Sequence, residues 1–525
     1  MLRRTSRSLD EEEMHETGGD EPQGPRSSES TVRPELPGEN SDEVNWDGPD
    51  DPTNPQNWPE AVKWRLTVLC AGLTMTVTFA SSAPSSAIQV LQKEFGVGRE
   101  VTELVTALFL AGFCAGPLIW APGSELFGRR PIFILSLFLF MIFQIGCALA
   151  QNIATIIVIR FLTGVFSASP LTNAGGVIAD IWDPINRGAA MSTFTASVFL
   201  GPIIGPFIGG FLTTSYLTWR WIFWLIMILS ATAWICVILF FPETFAPVLL
   251  ATKAKKLRKQ NPEKNAKMYA PHERQDWSFR GVLQRTLYRP FHMLALEPIL
   301  VLVTIYLSIV YGLLYGLFEA FPLIWADLRG FSPGLAGLIF IGVGIGSTSG
   351  ALLNVWFSRK YRTLTPQWRG TPPPEYRLYG SMLGGPLLVI GIFFLGWTGA
   401  YKSVPWYVPA LATPIIGAGI TLVFISFLTY IVDCYLMYAA SGLAANTIVR
   451  SAIAAAFPLF TVQMFESLGI QWACTLIGCV ALVLAPSPFF FFKYGARIRQ
   501  KSRFAPAPDL KVAQDIEEEK RRAEA

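Results

Sequence analysis

Several side chains capable of chemistry stand in apolar surroundings. Glu319 closes the pattern Tyr306-x-Ser308-x-x-Tyr311-Gly312-x-x-Tyr315-Gly316-x-x-Glu319-Ala320-Phe321-Pro322. Tyr311, Tyr315 and Glu319 recur every fourth residue, so they share a helix face. Aromatic faces with one carboxylate suit a lipophilic cation. A buried carboxyl whose surroundings change can also load and release a proton. The plainer alternative is an aromatic belt with Glu319 at an interface. Arg160 lies inside another apolar run, with Gly164 one turn on. A guanidinium there needs a partner or a water-filled cavity, or it snorkels to the surface. Arg450, one turn after Asn446, falls near the middle of its run and is too deep to snorkel, so a functional or structural ion pair is expected. Asp433 and Glu103 are further carboxylates at helix ends that water can reach. If the chain moves protons, Glu319 is the leading candidate to carry them, with Arg160 and Arg450 as candidate tuning cations.

The elements that position these residues follow from composition. Of 525 residues, 51% are hydrophobic and 15% charged, whereas a soluble chain carries roughly a quarter charged. The excess apolar content is membrane rather than core. Twelve apolar segments fall near 64–90, 101–123, 131–150, 153–180, 188–214, 219–241, 295–324, 331–357, 378–398, 405–432, 437–465 and 470–492. Each is long enough to cross a bilayer as a helix. The predicted fold is all-α, with twelve transmembrane helices in two six-helix halves. The halves cover 61–242 and 294–493, joined by a basic loop over 243–293. A polar tail over 1–60 is expected to be disordered, and a second tail covers 494–525. Lys and Arg crowd the central loop, alternate turns and the carboxyl tail, which places both termini in the cytoplasm.

Two motifs concern movement. Gly201, Gly205 and Gly209 share one face of the fifth segment, with Gly210 beside them and Pro202 and Pro206 bending the axis. The physics favours a tight packing seam. After the second segment stands Ser124-Glu125-Leu126-Phe127-Gly128-Arg129-Arg130-Pro131. Glu125 and Asp180 are candidate partners for Arg129 and Arg130. The motif reads either as surface charge or as a breakable latch on one gate. Ala-Ala-Ala-Phe-Pro at 454–458 echoes the fifth segment, as an internal repeat would.

These stretches resemble the major facilitator superfamily. Gly128-Arg129-Arg130 matches the core of its loop signature, although Ala121, Glu125 and Leu126 depart from the pattern. The Gly-Pro repeat resembles the antiporter motif, and Arg160-Phe161-Leu162-Thr163-Gly164 resembles a fourth-helix motif associated with proton transfer. Asn54 to Trp58, Trp219 to Trp224, Pro242 to Pro247, Tyr311 to Pro322 and Tyr435 to Arg450 extend the likeness. Together they are similar to fungal twelve-span drug:proton antiporters of the cycloheximide, fluconazole and polyamine resistance type. The resemblance implies proton-driven efflux of amphipathic compounds (drugs, toxins or a secondary metabolite) at the plasma membrane. The alternatives are a polyamine or other organic-cation exporter, or a carrier of the vacuolar membrane.

Other classes find little support. There is no Gly-Lys pair to build a phosphate-binding loop. No metal-ligand cluster appears, His15, His272 and His292 all lie outside the apolar segments, and the seven cysteines read as buried hydrophobes. We therefore expect a secondary transporter rather than an enzyme. It should need no cofactor or metal and be driven by a proton gradient. Its partners are protons, a small-molecule substrate and the bilayer, with no nucleic acid, and the expected state is monomeric.

Overall fold

The computed structural model describes residues 42–183, 186–263, 265–274, 278, 280–281, 284–364 and 366–524. Among these, 12 helices are long and apolar enough to cross a membrane. They are α1 (Glu60–Phe95), α2 (Arg99–Phe127), α3 (Arg129–Ala148), α4 (Ile153–Ile181), α5 (Arg187–Thr214) and α6 (Arg220–Phe240), then α7 (Pro298–Asp327), α8 (Pro333–Tyr361), α9 (Pro374–Gly399), α10 (Tyr407–Tyr435), α11 (Ser441–Leu468) and α12 (Ile470–Gln500). An even number of spans puts both ends of the bundle's chain on one side. That side is called the terminal end below, and the opposite side the far end.

The two halves repeat one packing scheme. In the first, α1 packs on α5, α2 on α4 and α3 on α6; in the second, α7 packs on α11, α8 on α10 and α9 on α12. Between halves, α2 meets α11 and α5 meets α8, as a pseudo-twofold axis requires. The outward faces of α6 and α12 leave Leu239 and Val483 exposed, on a surface that only lipid can cover. Trp221, Trp397, Tyr401, Trp406, Tyr407 and Trp472 are exposed around the far end, where an aromatic belt meets headgroups.

The Gly-Pro repeat of α5 is a packing seam against α1. A β-carbon at Gly201 would lie 2.6 Å from the Met75 carbonyl oxygen, and one at Gly205 would lie 2.8 Å from the Ala83 nitrogen. The prolines leave carbonyls without partners, and α1 supplies donors. Pro206 has no N–H for the Pro202 carbonyl, which instead accepts from Ser82 Oγ at 2.9 Å. Ser86 Oγ donates to the Pro206 carbonyl at 3.0 Å. The second half repeats the seam with large and small exchanged: Gly312 and Gly316 of α7 face Phe457 of α11.

Beyond the seam, α5 reaches the other half. A β-carbon at Gly210 would lie 2.6 Å from the Pro333 carbonyl oxygen, and one at Gly337 would lie 2.6 Å from that of Pro206. Backbone meets backbone here, so the far end is shut. Gly205→Leu is expected to cost at least about 1–3 kcal/mol through overpacking, because its neighbours include backbone that cannot rotate away. The check is thermal stability and transport at equal protein level. Wild-type values for both would show the seam to be loose.

One expectation needs correction. The polar tail was expected to be disordered through residue 60. Residues 1–41 lie outside the described residues, but from Asp42 the chain packs on the central loop. Val44 donates its N–H to the Tyr269 carbonyl at 2.9 Å, and Tyr269 donates back to Asp42 at 3.0 Å. Val44 is buried with Ala251, Ala254 and Ala270. Asp51 accepts from the Thr53 N–H and hydroxyl and from the Asp47 N–H, and Lys253 lies near it. These hydrogen bonds, with Thr53 first among them, hold the Asp51 carboxyl down at about 2. A short turn with enough local acceptors thus orders a segment whose composition alone argued against order.

Candidate functional site

At mid-depth, five helices converge on two buried arginines. Arg160 of α4 is fully buried and does not snorkel. Its Nε donates to the Val105 carbonyl at 2.9 Å, and its terminal nitrogens donate to Ala80 at 2.9 Å and Ser81 at 3.4 Å. The Ala80 carbonyl is free because Pro84, four residues on, has no N–H to offer it. The Phe109 ring covers the guanidinium at 4.0 Å.

A line of hydroxyls crosses from Arg160 to the second half. Ser81 Oγ, next to that arginine, pairs with Tyr315 Oη at 2.9 Å, and Tyr315 pairs with Tyr311 at 3.4 Å. Arg450 of α11 lies over the Tyr311 ring at 4.7 Å and the Phe424 ring at 5.0 Å. Phe424 in turn stands edge-on to Phe199 of α5, with centroids 5.0 Å apart. The ion pair expected for Arg450 is absent: among the described residues no carboxylate reaches it, and aromatic faces take that place. The face of Tyr311 is therefore occupied by the protein's own cation in this conformation. Asn446 sits one turn nearer the terminal end, where its Nδ2 donates to Thr304 at 3.3 Å.

One turn from Tyr315 toward the far end, Glu319 is 3% exposed, so it is not part of an interfacial belt. Its carboxyl lies beside that of Glu103 on α2, which is equally buried and not open to water as expected, and one oxygen of each is buried without a hydrogen-bond partner. Arg99 spans both, at 3.3 Å from Glu103 and 3.7 Å from Glu319, and reaches Glu466 of α11 at 3.8 Å. One cation of the first half thus holds two acids of the second. Sequence reasoning singled out Glu319 but missed Arg99 and Glu466. Their signal was weak, since each stands at a helix end among ordinary surface charges.

The remaining candidates lie at the terminal end. Arg129 Nε pairs with Asp180 at 3.2 Å, and its NH1 donates to Ser124 at 2.6 Å. Glu125 is not the partner, since its carboxylate makes no ion pair among the described residues. The acid missed here is Glu243, just after α6. It accepts from the backbone N–H of Arg129 at 2.9 Å and Arg130 at 3.1 Å, and from those of Thr244 and Phe245. It therefore caps α3, where a negative charge meets the helix's positive end. Gly128 has φ +96°, and a β-carbon there would lie 2.7 Å from the Glu243 carboxyl carbon, so both conformation and space require glycine. Arg130 donates to the Ile238 carbonyl. Glu243→Gln is expected to cost about 1–3 kcal/mol as charged hydrogen bonds are lost. Glu125→Gln should stay within about 0.5 kcal/mol of wild type. Melting curves of both variants check this, and equal shifts would contradict it.

Asp433 belongs to a matching latch in the second half and is remote from Glu319. It pairs with Arg377 at 2.7 Å and accepts from Tyr361 Oη at 3.1 Å. Arg377 opens α9 and Asp433 closes α10, as Arg129 opens α3 and Asp180 closes α4. The two latches are thus related by the internal repeat. Between the halves here lies a cavity of about 400 Å³, whose lining includes Arg187, Met191, Arg359, Tyr361 and Asp433.

Two repeated six-helix halves, shut at one end with buried charge on the seam between them, define a membrane transporter. The model described as Major Facilitator Superfamily matches residues 69–458, and the chain belongs to that superfamily. It is 42% identical over 473 residues to a citrinin biosynthesis cluster MFS transporter of Monascus ruber, covering 88% of this chain and 92% of that one. It is 42% identical over 464 residues to an MFS-type efflux pump of Trichophyton rubrum, covering 88% of this chain and 77% of that one. Among solved structures, the proton:xylose symporter XylE is similar in fold, with TM-score 0.60 and 17% identity over 83% of this chain and 96% of that one. The protein is accordingly a transporter and not an enzyme.

Proposed function

We propose that this transporter exports amphipathic small molecules across the plasma membrane in exchange for protons. The observation that carries the reading is the acid pair Glu103–Glu319 between the halves, held by Arg99. Two carboxyls buried side by side on one guanidinium disfavour both being ionised, so one of them tends to keep a proton. Opening the far end separates α2 from α7 and α11, so the pair parts and Arg99 leaves at least one acid. Proton affinity then changes with conformation, which is what coupling needs. The glycine seam of α5 lies beside the backbone contacts that must break in the same movement.

Export is supported by the efflux pump and the biosynthesis-cluster transporter among the relatives. The terminal end faces the cytoplasm in this reading, because Arg129, Arg130, Arg187, Arg377 and the basic central loop gather there. The experiment is overexpression in a plasma-membrane-targeted host, with extrusion of toxic amphiphiles followed with and without a protonophore. A tag in the central loop should be unreachable by impermeant reagent in intact cells. Extrusion indifferent to the protonophore, or a tag labelled from outside, would overturn the corresponding part.

A further inference from the structure

Arg450 is a buried cation for which the described residues supply no carboxylate partner. It is 5% exposed, and its Nε is buried without a hydrogen-bond partner. Among the described residues, the ionisable groups around it are Tyr311, Tyr315 and Cys114, none of them a carboxylate. Arg160, the other cation of this layer, is satisfied by three backbone carbonyls. The nearest acids toward the far end, Glu103 and Glu319, are already engaged by Arg99. Toward the terminal end, Asp433 is engaged by Arg377. Asn446, one turn away, likewise has an Oδ1 without a partner. A charge left uncompensated in a membrane interior is costly, and stacking on two rings offsets only part of that cost.

We propose that the compensating charge arrives with the cargo: the transporter takes amphipathic organic acids, whose carboxylate or other anionic group pairs with Arg450. This deepens the export reading and rests on it for direction, but not for binding. The site is suited to such a ligand. A guanidinium offers parallel N–H donors that match a carboxylate in two places at once. Tyr311 of α7 and Phe424 of α10 carry the guanidinium on their faces, and Phe199 of α5, edge-on to Phe424, adds an apolar wall against which a ring system can pack. Arg450 also lies where α11 meets α2, since Cys114 Sγ donates to the Ile448 carbonyl at 3.4 Å. Cargo bound there touches both halves and can bias their movement. The sequence pattern of α7 suggested a lipophilic cation instead, but the aromatic face that would receive one is covered by Arg450.

The test is binding of three probes with one fluorophore and different charge: 9-anthracenecarboxylate, 9-anthracenemethanol and 9-(methylaminomethyl)anthracene. Each is titrated into the purified full-length protein at neutral pH with no gradient. The carboxylate should bind wild type at least about tenfold tighter than the other two, the scale of one charged hydrogen-bonded pair. Arg450→Gln should lose that preference and leave the alcohol's affinity within about twofold. Arg450→Lys should retain part of it, as a point charge without the fork. Should Arg450→Gln fail to fold, the ranking of the three probes on wild type still decides. Equal or tighter binding of the amine overturns the proposal, as does undiminished carboxylate preference in Arg450→Gln. Displacement of the carboxylate by chloride at about 0.15 M, against a gluconate control of equal ionic strength, would also overturn it by assigning the site to a small inorganic anion. Because no gradient is involved, failure of proton-coupled export would leave this outcome readable.

Discussion

Glu319→Gln is expected to reduce gradient-driven transport at least about a hundredfold while leaving exchange of substrate across the membrane without a gradient within about threefold. The larger figure corresponds to removing a proton-coupling group from a cycle that turns over through it. Glutamine keeps the volume and can donate to Glu103 beside it, so the far-end contact can still form, but it carries no exchangeable charge. Arg99 would then hold Glu103 and Glu466 alone. The measurement is paired: uptake into sealed vesicles under an imposed pH difference, and counterflow at equal pH, at matched protein levels. Loss of both would mean that Glu319 is structural. Retention of both would remove it from the coupling step.

The second large effect concerns Arg160 and works through folding. Arg160→Leu leaves the Ala80 carbonyl buried with no donor, since Pro84 cannot supply one, and it strips the Ser81 and Val105 carbonyls as well. The expected cost is roughly 2–5 kcal/mol, about 1–3 kcal/mol of it from the Ala80 carbonyl left unsatisfied and the rest from the two other charged hydrogen bonds lost. Pro84→Ala restores a backbone N–H four residues after Ala80. It is therefore expected to recover about 1 kcal/mol in the Arg160→Leu background and little or nothing in wild type. Melting temperatures of the four proteins close this cycle. Strict additivity would show that the arginine does not answer the proline.

Much of this was legible in the sequence because lipid imposes few choices. Apolar runs of sufficient length must be helices, so the twelve spans and the terminal end emerged directly. The α5 seam was legible from glycine spacing. Tyr311, Tyr315 and Glu319 lie on one helix face, and fourfold spacing reveals that. What sequence could not supply was the partner across helices. Arg160 answers carbonyls made free by a proline on α1, at a separation of 80 residues. Glu243 caps a helix that begins 114 residues earlier, and no local pattern links them. Glu125, adjacent to Arg129 and Arg130 in the chain, was the natural choice and the wrong one, because Gly128 turns the backbone between them. Arg450 was expected to find a carboxylate, and only three-dimensional placement shows that tyrosine and phenylalanine faces stand there instead.

The most direct measurement of the account is proton movement itself. Purified protein in sealed liposomes, with a pH-sensitive dye trapped inside, is given a gradient of an extruded compound at equal internal and external pH. The account predicts that protons move opposite to the compound, that the signal scales with the compound's flux, and that Glu319→Gln abolishes it. Compound flux with no proton movement, or protons travelling in the same direction as the compound, would contradict it.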